Sequence, residues 1–278
     1  MIDLHVHSNA SDGTMTPTEL VTYAKNKGIK AIALTDHDTI NGVREAKAVG
    51  AALGVEVISG IELSTSYNNK DVHILGLFID ENNKGFIDEL DAFKESRSDR
   101  NEMMIERLNE LGIDISNEDL SNESCDGVIT RAHFAKVLLK KGYIKKIDEA
   151  FKKYIGDNCP AFIPRSKVTP ESAINLIKKY NGISILAHPF LYDLSTKGLI
   201  GLIEHLKEEG LDGIEAIYSL HSGSEQSYIK QLAKKYDLLI SGGSDFHGSN
   251  KPFIDLGVGK GKLLVPDAVL EKLKLSLI

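Results

Sequence analysis

Apolar residues fall along this chain in two alternating rhythms. Short unbroken apolar runs, the pattern of strands buried on both faces, alternate with stretches in which apolar positions recur every three or four residues, the pattern of helices with one buried face. Ile2–Val6 predicts the first strand. Thr16-Pro17-Thr18-Glu19 predicts a helix start, with Thr16 as N-cap, Pro17 in the first helical position and Glu19 completing a capping box. That helix should run to about Lys27, with Gly28 ending it. A strand at Ala31–Leu34, a helix from Asn41 to about Leu53 closed by Gly54, and strands at Val55–Ile61 and Val72–Ile79 follow. The alternation predicts a parallel sheet covered by helices.

The rhythm breaks between residues 81 and 165. Phe86–Leu111 reads as one long, highly charged amphipathic helix ended by Gly112, followed by shorter helices around Arg131–Lys141 and Ile147–Tyr154. Apolar periodicity persists here, so residues 81–165 read as a helical insertion over the active site, and not as a linker. Beyond it the alternation resumes, with a helix opening at Thr169-Pro170-Glu171, a strand at Ile183–Ala187 and a helix at Lys197–Glu209. A strand at Gly213–Ile217, a helix at Ser224–Tyr236, a strand at Leu238–Ser241 and a terminal helix near Pro266 complete the pattern. The expected fold is α/β: about seven strands and their helices, from residues 1–80 and 166–278, are enough to close a barrel.

Composition narrows the class of partner. The chain has 278 residues, 42% hydrophobic and 26% charged, an ordinary balance for a globular protein. No apolar stretch approaches the roughly 18–20 residues needed to span a bilayer, and a strand opening at Ile2 leaves no room for a signal peptide. Cys125 and Cys159 form neither a CxxC pair nor a disulfide framework. A cytoplasmic enzyme with no membrane association and no stable protein partner is expected. The net charge of −7 argues against nucleic-acid binding through a broad basic surface. It leaves room for a phosphorylated substrate, because a cluster of divalent cations can attract phosphate inside an acidic protein.

The candidate chemistry lies at the strand ends. His5 and His7 are separated by one residue, and on a strand such a pair shares a face roughly 6–7 Å apart. Asp12, His37, Glu62, His188, Asp245 and His247 stand at or just beyond other strands, where barrel enzymes place their chemistry. His73 instead opens its strand, which an antiparallel or distorted strand would explain. Histidine nitrogen and carboxylate oxygen without cysteine suit manganese, iron(II) or zinc better than magnesium alone. These nine residues suffice for two to three ions if a carboxylate bridges. Other polar residues receive plainer readings. Asp38 is expected to cap the helix after it, Arg97 and Arg100 to lie on the solvated face of the long helix, and His205 on a helix surface. His221, after a predicted strand, could reach substrate as a catalytic group.

The stretches Asp3-Leu-His-Val-His-Ser8, Ser11-Asp-Gly13, Ala33-Leu-Thr-Asp-His-Asp-Thr39, Gly60-Ile-Glu62, His73, Ala187-His-Pro189 and Gly242-Gly-Ser-Asp-Phe-His-Gly248 together resemble the PHP (polymerase and histidinol phosphatase) superfamily. The resemblance spans almost the whole chain. It implies a distorted (β/α)7 barrel with up to three metal ions. His5, His7, Glu62 and Asp245 would hold the first. Glu62, His73 and His188 would hold the second, and Asp12, His37 and His247 the third.

Within that superfamily the chain resembles the stand-alone TrpH/YciV-type phosphoesterases, among them 3′,5′-nucleotide bisphosphate phosphatases and 5′–3′ exoribonucleases. Thr130-Arg-Ala-His-Phe-Ala135 is similar to that branch's Gly-Arg-Pro-His-Ile-Ala segment, with Thr130 and Ala132 in place of Gly and Pro. The segment from Tyr154 to Pro164 is similar to the one returning the chain to the barrel. The resemblance implies hydrolysis of a phosphomonoester, the 3′-phosphate of a nucleoside 3′,5′-bisphosphate or the 5′ end of a short RNA, by a metal-bridging hydroxide. Arg131 and His133 would take a second phosphate. The rival expectations are a histidinol-phosphate-type phosphatase and a non-catalytic module of a DNA polymerase.

Overall fold

The computed structural model describes residues 1–124, 127–164 and 168–278. Its first half runs β1 (Ile2–Val6), α1 (Pro17–Asn26), β2 (Ala31–Leu34), α2 (Val43–Leu53), β3 (Glu56–Tyr67) and β4 (Lys70–Leu77). A helical segment follows: α3 (Lys84–Glu110), α4 (Asn117–Ser124), α5 (Arg131–Lys140) and α6 (Ile147–Ala150), the last running into a π-helical turn at Phe151–Ile155. The chain then continues through α7 (Pro170–Lys179), β5 (Ile183–Leu186), α8 (Thr196–Glu208), β6 (Gly213–Tyr218), α9 (Gly223–Lys235), β7 (Leu239–Gly243) and α10 (Asp267–Leu275). No helix among the described residues is long and apolar enough to cross a membrane.

The seven strands form one sheet in sequence order, β1 to β7. It curls until the segment after β7 meets β1, where the Asp245 amide donates to the His5 carbonyl (2.8 Å) and the His7 amide to the Phe246 carbonyl (3.0 Å). Strands are buried on both faces, which explains their unbroken apolar runs. On β2, for example, Ile32 and Leu34 pack under the helices. Ala31 and Ala33 join a second cluster closed by Leu263, Val265, Leu270 and Leu273. The expected caps form, with Thr16 and Glu19 satisfying each other's backbone amides at the start of α1. Gly54 ends α2 in the left-handed region (φ 71°).

The sheet is not wholly parallel, and the strand carrying His73 is the antiparallel one that its position called for. β3 pairs antiparallel with β4, and β4 antiparallel with β5, while the remaining neighbours are parallel. The cause is local. Only Asn68 and Asn69 separate the paired Tyr67 and Lys70, and both adopt positive φ (49° and 60°), a two-residue mirror-image turn that joins only antiparallel strands. Asparagine tolerates that conformation better than most residues. β3 consequently continues to Tyr67, so Glu62 lies inside the strand and not at its end. His73, on the returning strand, faces Ser64 in the register.

The helical segment packs in two ways. The start of α3 joins the barrel's outer core through Phe86, Leu90 and Phe93. From Met104 onward it builds its own core with Leu108, Ile113, Leu120, Phe134, Leu138 and Ile155. Sequence patterning did not anticipate α4, a short polar helix with Leu120 and Ser124 as its buried residues. Cys159 is a free thiol, half-buried with Sγ 3.3 Å from the Phe151 carbonyl. Cys125 and the 165/166 boundary of the expected insertion lie outside the described residues.

Candidate metal centre

All nine sequence-predicted ligands converge at one end of the barrel. They form four overlapping groups: His7, Asp12, His37 and His247; His5, His7 and Asp245; His5, Glu62 and His188; and His37, Glu62 and His73. Within each group the donor atoms lie within 4.8 Å of one another. Glu62 is the hub. Its Oε2 stands 3.2 Å from His5 Nε2, 3.2 Å from His7 Nε2 and 3.3 Å from His37 Nδ1. Its Oε1 stands 2.9 Å from His73 Nδ1 and 3.0 Å from His188 Nε2.

The backbone is bent to achieve this. His188 (φ 24°) and Asp245 (φ 58°) both hold positive φ, which stores strain of order 1–3 kcal/mol per residue at sites where the surroundings impose it. Close strand approach is enforced by glycine at β7: a Cβ on Gly243 would lie 2.4 Å from His5 Cβ. Gly243→Ala is therefore expected to destabilise the fold by about 1–3 kcal/mol through overpacking and to displace His5. A thermal melt with Mn²⁺ titration checks this, and wild-type behaviour in both would contradict it.

These residues fit a metal. His5 Nε2, both nitrogens of His7, His37 Nδ1 and His188 Nδ1 are buried without a hydrogen-bond partner among the described residues. Buried polar atoms of native proteins are nearly always satisfied, so unsatisfied donor atoms crowded around carboxylates point to a cation. Burial opposes the charge on His7, yet the Asp245 and Glu62 carboxylates beside it push its pKa up to about 9. Burial likewise opposes the Glu62 carboxylate, but His5, His37 and His73 hold it well below the usual range. A divalent ion bound by His7 would displace the proton held there.

A supporting layer that sequence reasoning missed orients the ligands. Glu215, buried in the middle of β6, accepts from the His188 amide (2.8 Å) and pairs with His5 Nδ1 (3.0 Å). Asp36 holds the loop after β1 through Ser8 Oγ and Ser11 Oγ (both 2.6 Å). Asp245 Oδ2 accepts from Tyr218 (2.7 Å) and Lys251 (2.6 Å). The available signal was a carboxylate within an otherwise apolar run, as at Ile214-Glu215-Ala216, because such a group is rarely buried unless paired.

A cavity of about 420 Å³ opens over the centre. Arg97, Arg100, Arg131 and Lys251 stand in its wall, with Phe151 and Leu191 at its apolar side. Two sequence expectations fail here. Arg97 and Arg100 are buried (5% and 3% exposed), not solvated. Asp38 caps no helix: Gly42 precedes α2, and Asp38 instead accepts from the Ser64 amide (2.9 Å) and Arg97 Nε (2.7 Å).

Arg131 lines the cavity already paired with Asp71 (2.7 Å) and Asp157 (3.3 Å). His133 turns into the start of α5, its Nδ1 accepting from the Thr130 amide (3.0 Å), and burial lowers its pKa to about 4. His221 is packed among Tyr218 and Phe190 with Nδ1 3.4 Å from the Ala216 carbonyl, and it does not line the cavity. His205 pairs with Glu171 on the helical surface. A second cavity of about 490 Å³, at the opposite strand ends near Ile183 and Leu239, contains none of the nine ligands.

The PHP domain model matches residues 3–168. The chain belongs to the PHP family. It is 35% identical to the 5′–3′ exoribonuclease Rnm of Escherichia coli, over 96% of this chain and 90% of that one. It is 34% identical to a 3′,5′-nucleoside bisphosphate phosphatase of Chromobacterium violaceum, over 92% and 90%. A solved structure of a C. violaceum amidohydrolase, with bound sulfate and no metal, superposes with a TM-score of 0.87 at 32% identity, covering 99% of this chain and 96% of that one. This PHP chain thus shares the barrel and nearly full length with these relatives.

Proposed function

We propose that this PHP protein is a metal-dependent phosphoesterase that removes the 3′-phosphate of nucleoside 3′,5′-bisphosphates, with short 5′-phosphorylated RNA as a related substrate. The observation carrying this reading is the convergence of five imidazoles on Glu62 beneath a cavity walled by three arginines and a lysine. Bound divalent ions, with Mn²⁺ the first choice for this N/O donor set and Fe²⁺ or Zn²⁺ as alternatives, would supply a water of near-neutral pKa and positive charge against phosphate oxygens.

The chain's own groups do the rest. Glu62 is placed to be shared between ions, with one oxygen toward His5, His7 and His37 and the other toward His73 and His188. Asp71 and Asp157 fix the Arg131 fork, and the rings of Phe151 and Phe162 flank it (5.9 and 5.5 Å to the guanidinium carbon). A fixed guanidinium at the wall suits a second phosphate away from the reacting one. Phe151 and Leu191 offer an apolar face for a nucleobase, which histidinol phosphate would not use. The names of the relatives, an exoribonuclease and a nucleoside bisphosphate phosphatase, support the same class of substrate.

The test is phosphate release by the Mn²⁺-loaded protein from adenosine 3′,5′-bisphosphate and from histidinol phosphate. The bisphosphate should be favoured by about tenfold or more in kcat/KM, the worth of one additional charge-assisted hydrogen bond. Preference for histidinol phosphate would overturn the substrate class, and hydrolysis of neither would overturn the reading as a whole.

A further inference from the structure

We infer that Thr130, the N-cap of α5, is a positioning residue for Asp12 and couples metal binding to docking of the helical segment on the barrel. The inference rests on reading Asp12, His37 and His247 as metal ligands.

The hydrogen-bonding capacity of Thr130 assigns its proton. The residue sits in extended backbone (φ −109°, ψ 172°). Its hydroxyl accepts from the Ala132 amide at 3.2 Å, the usual work of a cap. One O–H remains to be donated, and the Asp12 Oδ2 carboxylate oxygen lies 2.9 Å away. The rival acceptor, His133 Nδ1, is farther at 3.4 Å and already receives the Thr130 amide at 3.0 Å. Thr130 is 4% exposed and Asp12 5%, so a hydrogen bond to a charged acceptor is formed away from bulk water.

The bond orients Asp12. With Oδ2 held by Thr130 and 3.9 Å from His37 Nε2, Oδ1 faces His247 Nε2 at 3.2 Å and His7 Nδ1 at 3.9 Å, the direction of the candidate ion. The Asp12 backbone is held from another side, its carbonyl accepting from Asn250 Nδ2 at 2.5 Å. On the helical side, the Val128 amide donates to the Ala10 carbonyl (3.1 Å), so the strip leading into α5 lies against the loop that carries Asp12. Two segments 118 residues apart in sequence meet here, and the Thr130 hydroxyl carries the contact to the Asp12 carboxylate. Coupling free energy is reciprocal: whatever Thr130 adds to metal affinity through Asp12, bound metal returns to the docked position of α5.

Thr130→Gly is the informative variant. Glycine is a tolerated N-cap, so the helix start is nearly preserved while the hydroxyl is lost. Calorimetric titration of the metal-stripped protein should show Mn²⁺ affinity at the weakest site reduced about 10–100-fold, the range for loss of an outer-shell partner. Thr130→Ser should bind as the wild type does. Thr169→Gly, which removes the corresponding cap of α7, should leave Mn²⁺ affinity unchanged. Hydrogen exchange of the α5 amides should slow when Mn²⁺ is added to the wild type, and slow less in Thr130→Gly. Thr130→Val, which keeps the volume, carries the same readings should the glycine variant not fold. Wild-type affinity and exchange response in Thr130→Gly would overturn the inference alone. A wild-type chain that binds no Mn²⁺ would overturn the ligand assignment as well.

Discussion

Glu62→Gln is expected to reduce hydrolysis by more than about 100-fold, beyond the 10–100-fold effect of disturbing an outer-shell partner. Glutamine keeps the side chain's volume but removes the charge and turns an N–H₂ group toward imidazole nitrogens. Among the described residues Glu62 is the one carboxylate within 3.3 Å of five of the histidines, and its loss affects two of the overlapping candidate groups at once. A neutral side chain there leaves fewer negative charges to balance divalent ions in a site that is 1% exposed at this residue. Metal content after dialysis, measured by elemental analysis, should fall together with phosphate release. A variant retaining both would show that Glu62 is not a shared ligand.

Arg97→Met is expected to destabilise the fold strongly. Arg97 donates to Asp38, to Ser64 Oγ (2.7 Å) and toward the Ile129 carbonyl (3.5 Å). Its side chain is 6% exposed and that of Asp38 is 0% exposed. Removing one partner of a buried ion pair leaves an uncompensated charge, at a penalty of about 3–5 kcal/mol. In a chain of this size each kcal/mol shifts the melting temperature by about 2–4 °C, so the transition should move down by about 6–20 °C. Asp38→Asn combined with Arg97→Met should recover much of that loss, because the buried negative charge that Arg97 balanced is then gone. A melting temperature within about 2 °C of the wild type in the single variant would contradict the pair's structural role.

Arg97 also shows where sequence reading stopped. A helix rich in charge, such as Lys84–Glu110, has the composition of a solvated face, and nothing near Arg97 in sequence indicates otherwise. Its partner Asp38 lies 59 residues earlier and looked like a helix cap. Glu215 was overlooked for a similar reason, since its partner His5 is 210 residues away. The antiparallel β3–β4 pair was different. The place of His73 pointed to an antiparallel or distorted strand there, as found, while the strand–helix rhythm on either side suggested a parallel sheet and the Asn68-Asn69 turn went unread.

By itself the sequence showed most of the elements and the candidate ligands of this protein. Apolar periodicity, caps such as Thr16 with Glu19, and glycines such as Gly54 act within a few residues, so they can be read within a few residues. The nine candidate ligands were legible because each stands in or beside a strand of a sheet whose like ends gather. The tertiary structure alone decided how those residues gather around Glu62, which carboxylates hold the histidines, and how the helical segment is tied to the centre. Those matters rest on hydrogen bonds and ion pairs between groups far apart in the chain. Their energies depend on burial and on distances of 2.5–3.5 Å that no local pattern encodes.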